Sequence, residues 1–577
     1  MDMTHEKNGM ARRDWFFLGL ILLGAVLFRM LLLSKVNLIG FDEVNYLKLA
    51  ASGRINGLNH VLHGYWSPFY PLVVALLAYL VPDFELAGRL VQIFSVLILI
   101  LLVFSFARKK FGKPIAFVTA LLLAFYTLAA RFSIKAETDF IYTTLAIAGV
   151  FLAWNALECK KVWQMFVSGL LFGLAYLTRP EGIGFLMVLW GVLFLVLIYQ
   201  LFDKQKILKI VAMILLSGIG FGLAAAPYIF YLHRETGTWT ISTKGTVNQQ
   251  GSMYVEHMSE YQENPFHVVS EDDTKLMQDE IYHIGNFVTR IEEQGKPVVE
   301  VSPTALLKKM AENYYKIITS ALTQVMTAPL LLLMGLGLFG AVWDSQRARL
   351  NLYLLSYVLF FWFILVPAFH INLRYFMPVM PLAFIWVAAG AVWFVAWGSG
   401  TLQKSVPKWP AGRSAKVVAV VGLTVVILGA SVLPELFKRL GKAKHSTEEW
   451  APAWEQKKAG LWLKEQGIKS PIMMAYNHAV SFYAGNYQIK ESIEIPENKI
   501  DRCLAYARHR GAKYLVLDDR YKHHHPLIAH VYEQKDVPPD LKLIYSDKMQ
   551  NGLGTLIYEI LDPQPVPASS DSLEVTQ

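Results

Sequence analysis

The sequence predicts a polytopic α-helical membrane protein with outer-face juxtamembrane helices and a small C-terminal α/β domain. Three observations predict it. Apolar runs of about twenty residues recur through roughly the first three quarters of the chain, short Lys and Arg clusters punctuate them, and the tail alternates brief helices with β-rich runs. Apolar residues make up 54% of the 577, above the roughly 45–50% of a soluble domain, and mean hydropathy is positive. A formal net charge of +9 would suggest a nucleic-acid partner in a soluble chain. Here the basic residues fall between apolar runs, a pattern that encodes orientation, and no nucleic acid is expected.

A helix needs on the order of 20 apolar residues to cross roughly 30 Å of hydrocarbon. Such runs lie at about 15–33, 86–107, 114–130, 140–157, 162–178, 183–201, 210–231, 322–343, 350–369, 376–397 and 416–436, about eleven spans in all. Arg12 and Arg13 precede the first, so it enters from the cytoplasm. With no small-residue cleavage site before Ser34 and Lys35, it is an anchor rather than a removed signal. Phe69 to Val81 is also apolar, but it has only about 13 residues and lies between Pro68 and Pro82. If it crossed, Arg108-Lys109-Lys110, Lys160-Lys161, Lys204 to Lys209, Arg347 to Arg349 and Lys404 to Lys416 would all lie outside, against the positive-inside rule. It is therefore read as a helix at the outer surface. The chain is expected in the inner (cytoplasmic) membrane, with its N-terminus cytoplasmic and its C-terminal domain external or periplasmic.

These spans define a core over 1–436, with an outer loop at 34–85 and an external insertion at 232–321. The insertion is partly acidic at Glu271-Asp272-Asp273 and ends in an amphipathic stretch from Thr304 to Ile318. An α/β domain is expected over 437–562. It comprises helices at Thr447 to Gln466 and Asn498 to Gly511, an apolar run at Ile472 to Ala475, a strand at Tyr514 to Leu517 and further strands near Leu543 and Leu556. The Pro- and Ser-containing 563–577 is expected to be disordered. Two cysteines, Cys159 and Cys503, fall on opposite sides of the bilayer in this topology and are not expected to pair.

Ionisable residues inside a bilayer are expensive and usually functional. The spans contain almost none, Arg29 near the outer end of the first being the main exception. The outer connections are dense by contrast. They hold Asp42-Glu43 with His60 and His63, then Arg131, Lys135, Glu137 and Asp139, then Arg179 and Glu181, and finally His370, Asn372, Arg374 and Tyr375. A sugar-phosphate ester at this surface needs a cation for the departing phosphate, and the planar Arg fork matches phosphate oxygens. It also needs a carboxylate to orient or deprotonate the attacking hydroxyl, which contributes about 10²–10⁴-fold to rate. Asp42 and Glu43 project about 100° apart on a helix, with Tyr46 near their side of the turn. A plain N-cap pair accounts for them equally on chemistry alone. Trp66, Arg374 and Tyr375 are equally at home as interfacial anchors. His60 and His63 have a ligand-pair spacing that a polar loop also produces, and His523-His524-His525 cannot all face one ion. No metal site is expected. The tail lacks a glycine-rich phosphate loop after its first strand, where Tyr476-Asn477-His478 follows, so acceptor recognition or docking is expected of it rather than nucleotide binding.

At these residues the chain resembles the C-type glycosyltransferase superfamily, in the branch of protein O-mannosyltransferases and the aminoarabinose transferase of lipid A. Phe41-Asp42-Glu43-Val44-Asn45-Tyr46 resembles the superfamily's Asp-Glu motif, and His63-Gly64-Tyr65-Trp66-Ser67-Pro68 stands where the branch has a proline motif before a short helix. Ala87-Gly88-Arg89-Leu90, Ser133 to Asp139, Leu177-Thr178-Arg179-Pro180-Glu181-Gly182 and Arg374-Tyr375-Phe376-Met377-Pro378 resemble later blocks. The resemblance implies inverting, largely metal-independent sugar transfer at the outer face, with no cofactor beyond the lipid-phosphate sugar donor as co-substrate. It gives Asp42 the acceptor-activating role and Asp139 the second acidic position, and makes the arginines candidates for the carrier phosphate. Ser67 stands where the aminoarabinose transferase has a Lys before its prolines, with His63 as a stand-in, and neither the insertion nor the tail is the lumenal module of the O-mannosyltransferases.

The expected function is transfer of a monosaccharide from a polyprenyl-phosphate carrier to an acceptor hydroxyl. Asp42 would be the base, with Glu43, Glu137 and Asp139 shaping the site. Arg131, Arg179, Arg374 and His63 would hold phosphate, and Tyr46, Trp66 and Tyr375 the substrate. Partners would be the lipid-linked sugar, a glycan, lipid or protein acceptor, and membrane lipids. The alternatives are a transporter or flippase of lipid-linked glycans, which calls for inverted repeats and mid-membrane charges, and a catalytically inactive scaffold.

Overall fold

The computed structural model describes residues 12–34, 39–159, 161–200, 204–243, 303–368, 371–405, 419–430 and 454–562, apart from short gaps at 421, 475–477, 489–490, 496–498, 510 and 549–551. The acidic insertion segment, the 436/437 boundary, His370 and the 563–577 tail lie outside these residues. The chain divides into a helical unit (Met1–Asn37, Asn45–Met253, Ile284–Lys444) and a second unit (Leu38–Val44, Tyr254–His283, His445–Gln577).

The helical unit opens with α1 (Arg12–Leu33), α2 (Phe41–Asn56, in this unit from Asn45 onward), α3 (Phe69–Leu77), α4 (Phe84–Phe111), α5 (Lys113–Phe125) and α6 (Thr127–Phe132). It continues with α7 (Asp139–Cys159), α8 (Trp163–Thr178), α9 (Ile183–Tyr199) and α10 (Lys204–Thr236). Beyond the insertion come α11 (Pro303–Lys316), α12 (Ala328–Phe339), α13 (Ser345–Phe360) and α14 (Met380–Ser405). Seven described helices are long and apolar enough to cross a membrane, or up to eight if the bent pair Leu306–Val325 and Ala328–Phe339 is one span. α5 and α8 are shorter apolar helices. The nine residues of α3 extend about 13 Å, less than half of the roughly 30 Å of hydrocarbon.

Polar side chains fix which helix ends meet. Lys113 pairs with Asp14, and Lys110 with Glu158, while Lys109 donates to Asn155 (3.3 Å) and Asn155 to Gln164 (2.8 Å). The start of α1, the end of α4 and the end of α7 therefore form one basic end of the unit. α7 has 21 residues and so is about 30 Å long. Its first residue, Asp139, is bonded to Arg179 just past α8, so that pair stands at the opposite end, as the loop charges require.

Two of the expected uninterrupted runs are broken. The 114–130 run bends at Tyr126, and the 322–343 run turns by 95° between Val325 and Ala328. The second break has a local signal, Thr327-Ala328-Pro329, an N-cap residue with proline in the first helical turn. The first has none and is held by tertiary bonds. Buried Arg29 donates to the Leu123 and Ala124 carbonyls at the end of α5 and to Ser133 Oγ (2.8 Å), and Tyr126 donates its hydroxyl to the Val325 carbonyl (2.8 Å). A guanidinium on carbonyls at a helix C-terminus satisfies orphan acceptors and faces the negative end of the dipole. α12 and α14 touch backbone to backbone: a Cβ at Gly337 would lie 1.8 Å from the Trp386 carbonyl oxygen, and one at Gly390 1.9 Å from that of Leu333. Small residues permit this approach, from which dispersion in a membrane bundle gains most.

In the second unit, β1 (Ile472–Met474), β2 (Ser492–Glu494), β3 (Tyr514–Asp518), β4 (Leu541–Lys548) and β5 (Gly554–Ile560) form a sheet of order β2-β1-β3-β5-β4. β1 runs parallel to β2 and β3, and β5 antiparallel to β3 and β4. β3 is buried on both faces, Leu515 and Leu517 packing in one cluster and Val516 in the other, which is why it reads as a continuous apolar run rather than an alternating one. α15 (Trp454–Glu465) and α16 (Ala479–Tyr483) cover one face, and α17 (Ile500–His509) the other. β2 and α16 were not expected from the sequence, because three- and five-residue elements carry almost no periodicity. Cys159 and Cys503 are both free.

The sheet also carries a buried charge network. Arg520 donates to Glu455 (2.5 and 3.0 Å), Gln456 donates to Asp518 (2.5 Å), and the Arg520 backbone N–H donates to the same carboxylate (2.8 Å). Burial, and then the neighbouring Glu455, push the Asp518 carboxyl up to about 7. An acid raised above its unfolded value near 3.9 gives stability that is complete below that value and is lost as pH rises through the folded one. Protection of β3 amides in the full-length protein, corrected for intrinsic exchange, is therefore expected to fall between pH 5 and pH 8. Asp518→Asn flattens this dependence; an equally steep fall in the variant excludes Asp518 as its source.

Candidate active site

The structure gathers the acidic residues and arginines from three connections. α7 begins at Asp139, so this carboxylate sits at a helix N-terminus, favourable for negative charge. Its Oδ1 accepts from Arg179 Nη1 at 2.6 Å. Arg179 follows α8 and is fixed by the turn Pro180–Gly182, and its other terminal nitrogen reaches Glu181 at 3.4 Å. Burial lowers the affinity of this guanidinium for its proton, and Glu181 and Asp139 outweigh that and hold Arg179 charged beyond its ordinary range.

Glu137, two residues before Asp139, takes a second pair of cations: Lys135 at 3.1 Å and Arg374 at 3.2 Å. Arg374 comes from the 3₁₀ turn Leu373–Val379, whose first turn is capped by Asn372 Oδ1 accepting from the Arg374 N–H (3.1 Å). Both arginines approach the Tyr375 ring, the Arg179 guanidinium at 5.3 Å and that of Arg374 at 5.4 Å from its centroid, within cation–π range. Glu137 and Asp139 are both almost fully buried. Two guanidinium forks and an ammonium thus face three carboxylates at one end of the bundle. Such a site can hold an anion against displacement by water while keeping each fork oriented.

The other expected residues are placed differently. Glu43 accepts from the Gly40 N–H at 2.8 Å, the return half of a capping box at the start of α2. Asp42 next to it is half-buried. Both belong to the segment grouped with the second unit. His63 Nδ1 accepts from the Tyr65 and Trp66 N–H groups (3.0 and 3.2 Å). That nitrogen is thus taken up by the local backbone. Trp66 is 1% exposed and packs edge-on to Tyr46 (5.1 Å) and Tyr65 (4.8 Å), so in this structure it and Tyr46 are packed aromatics. Arg131 is half-buried in the last turn of α6. Gly88, in the Ala87-Gly88-Arg89 block, lets α4 press on the same region: a Cβ there would meet Leu47 and the Tyr70 hydroxyl at 2.8 Å. Among the described residues no three His, Cys, Asp or Glu side chains are grouped to hold a metal ion.

Residues 66–229 match the family model described as dolichyl-phosphate-mannose-protein mannosyltransferase. The fold matches solved structures over nearly the whole chain. The oligosaccharyltransferase of Archaeoglobus fulgidus tethered with an acceptor peptide aligns at TM-score 0.56 and 13% identity, covering 95% of this chain and 74% of that one. ArnT from Cupriavidus metallidurans in the apo state aligns at TM-score 0.54 and 13% identity, covering 96% and 100%. The chain shares the fold of these two proteins. The same ArnT bound to undecaprenyl phosphate aligns at TM-score 0.51, and Archaeoglobus fulgidus AglB, in complex with an inhibitory peptide and a dolichol-phosphate, at 0.55. No individual curated protein matches in sequence. Within this multi-pass fold, the family-model match includes Trp66, Arg131, Glu137, Asp139 and Arg179, and lies before Arg374. Two residues at the cluster, Gln92 accepting from the Phe140 N–H and Tyr142 with its ring 5.7 Å from the Arg179 guanidinium, were not among the candidates. A lone Gln inside the apolar 86–107 run was the available signal for the first.

Proposed function

We propose that this chain transfers a monosaccharide from a polyprenyl-phosphate carrier to an acceptor hydroxyl at the outer face of the membrane, with inversion at the anomeric carbon. The observation that carries the reading is the buried cluster in which Arg179 and Arg374 are oriented by Asp139 and Glu137 at the end of the bundle opposite the basic loops. Solved structures of this fold hold undecaprenyl phosphate or dolichol-phosphate, which supports a lipid phosphate as the donor's leaving group.

In the reaction the acceptor oxygen bonds to the anomeric carbon while the bond from that carbon to the phosphate oxygen breaks. The hydroxyl proton passes to Asp42, and the electron pair leaves on phosphate. Arg179 and Arg374 stabilise that developing charge, with Lys135 and Arg131 adding positive potential. No metal or organic cofactor takes part. The protein lies in the inner membrane with its N-terminus cytoplasmic and its C-terminal unit external, and the α/β unit serves acceptor recognition.

Purified protein offered undecaprenyl-phosphate sugars and nucleotide sugars in parallel, with envelope membranes from a strain lacking the protein as acceptor, is expected to turn over only the lipid-linked donors. Turnover confined to nucleotide sugars sinks the reading. Mass spectrometry of envelope glycans from the same strain identifies the missing sugar and its bearer.

A further inference from the structure

An aspartate at the first position of a helix ordinarily turns its carboxylate back on its own N-terminal N–H groups, which have no intrahelical partner. Asp139 does not. Its Oδ1 is committed to Arg179 at 2.6 Å, and its Oδ2 is buried with no hydrogen-bond partner among the described residues. The N–H groups of Phe140 and Ile141, the next two in α7, donate instead to Gln92 Oε1 at 2.8 and 3.4 Å. Gln92 stands on α4, 48 residues away from Phe140, and is completely buried. Its Nε2 has no partner among the described residues.

That combination is costly. A Met or Leu would suit the apolar run of α4 and leave no orphaned amide donor; what only an acceptor side chain supplies here is the cap of α7. The loop before Asp139 is held from the same side, since Arg29 donates to Ser133 Oγ (2.8 Å) and Arg89 to the Ile134 carbonyl (3.3 Å). We infer that Gln92 is a positioning residue for the transfer reaction: by capping α7 from α4 it relieves Asp139 of the cap and lets its carboxylate orient the Arg179 fork. The inference rests on the proposed sugar transfer.

A double-mutant cycle in the full-length protein tests it, with Gln92→Met, Asp139→Asn and the pair assayed on an undecaprenyl-phosphate sugar. Gln92→Met keeps length and apolarity but has no acceptor, so the Asp139 carboxylate swings back to its own helix. The expected result is a roughly tenfold lower kcat with KM for the donor within about twofold. Asp139→Asn is expected to lower kcat further, and adding Gln92→Met to it to change nothing more, because no carboxylate is left to orient. Gln92→Asn, which keeps a shorter acceptor, is expected to recover part of the loss. Multiplying defects in the double variant, or an Asp139→Asn protein as active as wild type, overturns the role of Gln92. A wild-type protein without turnover on any lipid-linked sugar instead fails the functional reading itself, and this inference with it.

Discussion

Asp42→Asn is expected to fold, insert and bind the lipid carrier, yet to transfer sugar about 10²-fold more slowly or worse. The amide keeps the shape and one acceptor oxygen of the carboxylate but has almost no basicity, and general-base assistance contributes about 10²–10⁴-fold. The competing account is a helix cap, and the neighbouring Glu43 receives the Gly40 N–H. Loss of a cap does not explain a large defect, because Asn caps nearly as well as Asp. Glu43→Gln retains the acceptor oxygen that the capping box uses and is expected to show a smaller defect. Single-turnover transfer measured beside thermal stability of the same detergent preparations decides the point. Near-normal turnover in Asp42→Asn removes the catalytic assignment.

Arg179→Lys is expected to lose on the order of 10²-fold in turnover although the charge is kept. Arg179 reaches Asp139 with one terminal nitrogen and Glu181 with the other, and the face of its fork is stacked by Tyr375. An ammonium has no such plane and cannot span both carboxylates while presenting a donor pair to phosphate. Removal of one preorganised donor from a transition-state anion costs about 10²–10³ in kcat elsewhere. Arg374→Lys is expected to be milder, since Lys135 already shares Glu137 with Arg374. Both variants are compared with wild type by kcat and KM on the lipid-linked donor. An Arg179→Lys protein within twofold of wild type excludes the fork as the phosphate ligand.

Membrane class, the approximate span limits, the basic end of the bundle and four of the five strands of the C-terminal sheet were legible in the sequence, because each depends on local composition. A stretch of about twenty apolar residues, a cluster of lysines or a run such as Tyr514 to Leu517 meets the same solvent whatever the rest of the chain does. The charged connections were legible as candidates for the same reason: charge is excluded from hydrocarbon and collects at the membrane's edge. What each charge does there was decided only by the tertiary structure. Arg179 meets Asp139 across 40 positions and Arg374 meets Glu137 across 237, and no periodicity specifies a contact between helices so far apart in sequence. The break at Tyr126 came from Arg29 and Tyr126 themselves, not from a Gly or Pro at the bend. Trp66 read as a substrate-lining or interfacial ring, and in the structure it packs edge-on against Tyr46 and Tyr65. Gln92 read as one polar residue in a span until α7 brought its unpaired N–H groups alongside. Composition sets which medium a segment occupies; the pairing of polar groups inside it is set by which helix ends come within about 3 Å of one another, and only the packed bundle fixes that.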